Sequence, residues 1–362
     1  GQPNPIPSQG RTMTENLRRG RRPLLAVAAA LALALAGCGF DTQTSGGGPA
    51  EPETEGVTLY SGRIPAAIGG AVDGYEAAAD RDVQVRYADT ADLAATLIEE
   101  GDASPADVFF AQEPGAIGAV ADAGLLAPLP PDVLRLVPAR YRDPRGRWVG
   151  VTGRARVVAY NREEVRRSEL PRSPFGFAAP AWRGRVGWSP ASSSMQEYVT
   201  ALRSRYGDDR TREWLEAMVA NDVVDYPNNV AIRDAIASGE IDAGLINHYY
   251  VAQAIAAEGE DYPVGVHFPP GGLGSLMLLT SVGVLESSDR RAEAIDFVRS
   301  LLERPSQSFF TTSSKEYPLA SDAEPDPSLS VPLAEIPSAP NDLVHLGELQ
   351  ATIELMQEAG AL

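Results

Sequence analysis

From residue 57 onward, short apolar runs alternate with longer amphipathic stretches, and this restricts the chain to few architectures. "VTLY" (57–60) precedes a helical stretch reaching residue 79, and "VQVRY" (83–87) precedes "TADLAATLIEEG" (90–101). In the latter, Thr90 is placed to cap a helix whose Leu93, Leu97 and Ile98 share a face. "ADVFF" (106–110) precedes "PGAIGAVADAG" (114–124), with proline at the start and Gly124 at the end. Strands separated by single helices read as parallel α/β sheet with crossover connections.

The same grammar resumes after "GRARVVAYN" (153–161). "GRVGW" (184–188) leads into "SPASSSMQEYVTALRSRYG", and "VAIRDAIASGE" (230–240) is a helix before the strand "IDAGLI" (241–246). "YYVAQAIAAEG" is a further helix, "SLMLLTSVGVL" (275–285) a long strand, and helices follow over 288–313 and 342–359. No repeat of fixed period is present. Two α/β lobes joined by crossing strands are expected, the first being 57–154 with about 271–325 returning to it. The second is 155–270, with about 326–362 packing on it. A hinge is expected near 152–156 and a return crossing near 271–276.

Ahead of the folded body stands an export signal. Residues 18–37, "RRGRRPLLAVAAALALALAG", give four arginines and then an apolar run from 24 to 36. That run falls short of the roughly 20 residues a membrane-spanning helix needs and suits a signal peptide. It ends in "LAGC", which resembles a bacterial lipobox, so cleavage before Cys38 and lipid on its thiol are expected. Residues 1–12, ahead of Met13, are set aside as an upstream extension. Cys38 is the single cysteine of the chain, so an internal disulfide is excluded. Residues 38–56, Gly/Pro-rich and acidic, read as a flexible tether. Without residues 1–37 the chain carries 26 basic and 48 acidic residues, a net charge of about −22. Such a surface argues against nucleic acid as a partner; a monomer exported to the outer side of the cell membrane is expected.

In open α/β sheets, ligands sit beyond the carboxyl ends of strands, at helix N-termini. Four stretches fall there: "YSGR" (60–63) with Ser61 and Arg63, "FAQEPG" (110–115), "SPASSS" (189–194) and "NHYY" (247–250). Ser192, Ser193 and Ser194 open a helix, and either cap it or hold an anion on its free N–H groups. Asn228 and Asn229 stand in the same position before the next helix. Arg154 and Arg156 lie on one strand, and at most one of them is expected to face the cleft. Tyr249 and Tyr250, adjacent at a strand-to-helix junction, admit three readings: core packing, stacking on an organic ligand, or phenolate ligation. Phenol oxygen binds metal only when deprotonated, from an ordinary pKa near 10, and a hard trivalent cation such as Fe(III) can force that. His248 beside them reads as a supporting or exposed residue.

Six segments in order carry a family likeness: "LYSGR", "GDASPADVFF" (101–110), "VGVTGRARVVAYN" (149–161), "WRGRVGW" (182–188), "NNVAIRDAIASGEIDAGLINHYY" (228–250) and "KEYPL" (315–319). Together they resemble the ferric-iron-binding substrate-binding proteins of bacterial ABC importers, the bacterial transferrins. The resemblance implies a type II periplasmic-binding fold that closes by hinge bending around Fe(III) as cargo. It also implies a synergistic anion such as carbonate or phosphate, and a membrane permease as partner. On the matching positions it makes Tyr249 and Tyr250 the paired phenolates. Ser192, Ser193, Ser194, Asn228, Asn229, Asn247 and Arg154 fall around the anion. Two departures stand out. Ile64 occupies a place where several relatives carry histidine. Gln112 stands where some carry an iron-binding glutamate, leaving Glu113 next door as the first-lobe candidate.

Other classes have less behind them. A ligand of organic or oxyanion type would use Tyr60, Tyr249 and Tyr250 for stacking or hydrogen bonds. A secreted hydrolase lacks support: "GWSPA" (187–191) ends in alanine where a nucleophile elbow needs glycine, and Thr312 takes the serine place of an S-x-x-K motif at Lys315. His248, His267 and His345 have no metal-ligand spacing. A structural surface lipoprotein would have no use for polar clusters at four strand ends. An enzyme is not expected.

Overall fold

The computed structural model describes residues 56–271, 273–329, 331–337 and 349–362. The leader, Cys38 and most of the tether lie outside the described residues. None of the described helices is long and apolar enough to cross a membrane.

Ten strands form the framework: β1 Val57–Ser61, β2 Val83–Tyr87, β3 Val108–Ala111, β4 Val149–Asn161, β5 Val186–Trp188, β6 Val224–Asp225, β7 Ala243–Asn247, β8 Val264–His267, β9 Met277–Val284 and β10 Tyr317–Pro318. They run in the order β2-β1-β3-β9-β4-β7-β5-β6, with β8 and β10 also paired to β4. The β1–β2 and β1–β3 pairs are parallel, as are β5–β6 and β5–β7, in keeping with helical crossovers. β9 joins antiparallel to both β3 and β4.

β4 decides the architecture. All 13 of its residues are buried, and it is largely apolar apart from Thr152, Arg154, Arg156 and the final Asn161. Its first half, Val149 to Ala155, pairs with β9; from Arg156 onward it pairs with β7 and β8. One strand therefore belongs to both sheets, and the change falls between Ala155 and Arg156. The Arg156 N–H donates to the Leu276 carbonyl at 2.8 Å, so the returning chain meets β4 at the same level.

Helices cover both sheets where the periodicity places them, with local differences. Thr90 is the first helical residue rather than the cap, and its hydroxyl instead accepts from the Gln112 N–H at 3.3 Å. The region 288–313 is two helices, Arg291–Leu302 and Arg304–Ser314, because Pro305 fits only a helix start. The last helix, Leu349–Glu358, lies on the helices Ser193–Tyr206 and Asp208–Ala220. Residues 326–329 and 331–337 depart from expectation. Asp326 pairs with Lys315 and the Tyr317 hydroxyl donates to the Val331 carbonyl, which ties this segment to the first sheet's side. Leu329, Val331 and Leu333 pack on the core there without a periodicity that could announce it.

A buried ion pair fastens the end of β1 to β10. The Arg63 guanidinium donates to Glu316 at 2.9 and 3.0 Å, both side chains being 4% exposed, and the Thr152 hydroxyl donates to the same carboxylate. Burial raises the Glu316 pKa, but Arg63, Arg154 and these hydrogen bonds outweigh it, so the carboxyl titrates below its ordinary 4.5. The stability it contributes is therefore present above pH 4.5 and lost as pH falls through the lower folded value. Glu316→Gln should cost about 3–5 kcal/mol, because it strands a buried guanidinium. Thermal melts from pH 7 down to 3.5 check this: the gap between wild type and variant must narrow with acid, and a constant gap would refute the assignment.

Candidate functional site

β7 ends at Asn247 and the chain enters the helix Tyr249–Glu258 through His248. The His248 N–H donates to the Ala155 carbonyl at 3.0 Å, and its imidazole Nδ1 accepts from the Ala155 N–H at 3.1 Å. Nε2 then carries the proton, facing the Lys315 carbonyl at 3.0 Å. Burial lowers this histidine to about 4, so it is neutral, and its ring lies 4.6 Å from that of Tyr317. His248 is only 2% exposed. It clamps the junction to the point where β4 passes from one sheet to the other.

The next two residues open the helix, so both phenols project from its first turn. Their ring centroids are 4.3 Å apart with planes inclined at 35°. Tyr250 is partly buried. Burial and the neighbouring Tyr249 push its phenol pKa upward, while Arg154 and Arg156 act the other way. Side chains one apart in a strand would point to opposite faces; the turn into a helix is what brings these two together.

Both arginines of β4 reach this region, which corrects the expectation of one. Residues two apart on a strand share a face, and Arg154 and Arg156 are two apart. Arg156 donates to Asn247 Oδ1 at 3.0 Å, Ser194 Oγ at 3.2 Å, Asn229 Oδ1 at 3.4 Å and the Leu245 carbonyl at 2.9 Å. Burial pulls its pKa down to about 10, so it keeps its charge. Arg154 crosses to the first lobe, donating to the Gln112 carbonyl at 2.6 Å, and its Nε is buried without a partner among the described residues.

The other expected residues divide into those committed elsewhere and those facing open space. Ser192 is an N-cap, accepting from the Met195 N–H, and Asn228 caps the helix Asn229–Ala237 by accepting from the Ala231 N–H. Ser194, Asn229 and Asn247 are held by Arg156. Ser61 closes a turn on Arg63, and Arg63 is spent on Glu316. The Tyr60 hydroxyl accepts from Arg86 and bonds Glu100, away from the tyrosine pair. Ile64 is 68% exposed and offers no donor atom. Glu113 faces a cavity of about 410 Å³ whose other lining includes Gly62, Thr90, Gln112, Ser193 and Glu197. Gly62 is required there, since a Cβ would stand 2.0 Å from the Thr90 hydroxyl. The tyrosines do not line this cavity. Arg154 links the two, lying within electrostatic reach of Glu197, Glu113 and Tyr249.

Glu197 was not among the residues singled out from the sequence. Both carboxylate oxygens of Glu197 are buried with no hydrogen-bond partner among the described residues. Burial and Glu113 push this carboxyl up to about 8 against the pull of Arg154 and Arg156. Its place was legible: Glu197 stands four residues after Ser193 and three after Ser194, on the helix face those serines begin.

No three of His, Cys, Asp and Glu converge on a metal-binding geometry among the described residues. Any cation bound here would rely on phenol as well as carboxylate oxygen. Two α/β lobes on through-running strands, with a polar cleft of phenols, carboxylates and guanidiniums between them, define a two-lobed solute-binding protein of the type II periplasmic fold. The chain belongs to the bacterial extracellular solute-binding protein family, whose pattern matches residues 103–333. It is 32% identical over 319 residues to the Fe(3+)-binding periplasmic protein of Serratia marcescens, covering 87% of this chain and 94% of that one. Iron-bound HitA from Pseudomonas aeruginosa superposes with a TM-score of 0.74 at 32% identity, over 84% of this chain and 99% of that one. The Trichodesmium IdiA (FutA) protein in complex with iron and citrate follows with a TM-score of 0.71 at 26% identity, over 85% and 100%.

Proposed function

We propose that this chain captures ferric iron outside the cytoplasm and delivers it to an ABC permease, anchored to the membrane by lipid on Cys38. The observation that carries this reading is the phenol pair Tyr249 and Tyr250, fixed at a helix start 4.3 Å apart beside two buried guanidiniums. Fe(III) is hard and highly charged, so it displaces phenol protons that no ordinary cation removes. Glu113 is the first-lobe candidate donor. A small anion, carbonate or phosphate, would take donors from Ser193 on the cavity wall and from Arg154, whose Nε has no partner among the described residues.

The test is a visible absorption spectrum of the protein, stripped by chelator and titrated with ferric citrate in bicarbonate or phosphate buffer. A broad phenolate-to-iron charge-transfer band is expected, saturating at one iron per chain. A second reading draws on the cavity volume of about 410 Å³, which exceeds what an ion and carbonate fill. In it the cargo is an organic or oxyanion ligand held by hydrogen bonds. A colourless protein whose melting temperature rises with such a ligand would select it.

A further inference from the structure

The cavity wall holds a carboxylate for which the fold provides no partner. Glu197 rises from the first turns of the helix Ser193–Tyr206, and both of its oxygens are buried and unbonded among the described residues. Two guanidiniums stand close enough to act on it, yet neither donates to it: Arg154 bonds Gln112 and leaves its Nε unpaired among the described residues, and Arg156 bonds Ser194, Asn229, Asn247 and Leu245. Glu316 shows the alternative in the same molecule, a buried carboxylate fully paired with Arg63 and Thr152. Leaving a buried carboxyl unbonded opposes folding, and the two guanidiniums offset this only in part, too little to cancel the effect of burial. A hard cation in the cleft would.

Of the first-lobe positions expected at the iron, Glu113 alone offers a carboxylate, so further anionic oxygen must come from the second lobe. Ile64 has none, and Gln112 is a neutral amide whose N–H donates to Glu113 at 2.8 Å. We propose that Glu197 donates a carboxylate oxygen to ferric iron, forming with Tyr249 and Tyr250 a three-donor anionic set carried by the second lobe. Two phenolates and one carboxylate match the three charges of Fe(III), leaving Arg154 and Arg156 to balance the synergistic anion. This rests on the iron reading above.

Glu197→Gln keeps the volume and removes the buried charge, so the iron-free melting temperature should hold or rise. Ferric affinity, measured by competition with citrate, should fall at least about 100-fold, beyond the loss typical of outer-sphere partners. The charge-transfer band should persist but move to longer wavelength, because losing an anionic donor makes the iron a stronger acceptor. Unchanged affinity and band position in a coloured wild type would overturn the role of Glu197 alone. A wild type that takes up no iron would overturn this proposal and the iron reading together.

Discussion

Tyr250→Phe is expected to erase most of the visible band and to weaken ferric binding at least about a thousand-fold, roughly 4 kcal/mol. The size follows from what is removed. A phenolate is a direct anionic donor, whereas loss of an outer-sphere partner costs only about 10–100-fold. The protein fold should barely notice. Phenylalanine keeps the ring beside Tyr249, and the hydroxyl it deletes sits in surroundings that resist ionisation. Tyr249→Phe should behave alike, the two variants differing in band intensity rather than in kind. Chelator competition and thermal melts on the same samples separate binding from folding. Full iron affinity in both variants would end the phenolate assignment; a melting temperature lowered with affinity intact would return the pair to core packing.

Arg156→Met should produce the largest loss of stability among substitutions in the cleft. Arg156 is the shared donor for Ser194, Asn229, Asn247 and the Leu245 carbonyl, so removing it orphans acceptors on two helices and one strand at once. Each buried unsatisfied group costs about 1–3 kcal/mol. A total of about 3–5 kcal/mol is expected, which at roughly 2–4 °C per kcal/mol is a fall of about 10 °C in melting temperature. Arg154→Met is the internal comparison, since that side chain is anchored by its hydrogen bond to the Gln112 carbonyl. It should lose less stability, and its effect should appear instead as weaker dependence of iron binding on bicarbonate or phosphate. Equal melting temperatures for the two variants would show that the Arg156 network does not organise the second lobe.

Much of the framework was readable residue by residue. The strands 57–60, 83–87, 106–110 and 241–246 and the helices between them lie within a few residues of where periodicity put them, because each is specified by a short window of chain. The tyrosine pair was readable for the same reason: a strand ending in polar residues and handing over to a helix is a local event. The pairings of the charged residues were not. Arg63 finds Glu316 across 253 positions, and Tyr60 finds Glu100 across 40. No window of sequence contains both partners, and the α/β topology alone sets which ends meet. Glu197 fell between these cases, visible as a position on the serine face of its helix but not as a carboxylate without a partner.

The sequence by itself determined the alternating α/β order, the phenol pair at a helix start and the absence of a histidine or glutamate at two expected first-lobe positions. Only the tertiary structure decided which polar groups are consumed in holding the fold and which remain open. Arg63, Ser61, Ser192 and Asn228 are consumed, while both oxygens of Glu197 and one nitrogen of Arg154 are left over among the described residues. The reason is physical. Propensity and periodicity act through neighbours in the chain, but a buried polar group is satisfied by whatever the packing of distant segments brings within about 3 Å.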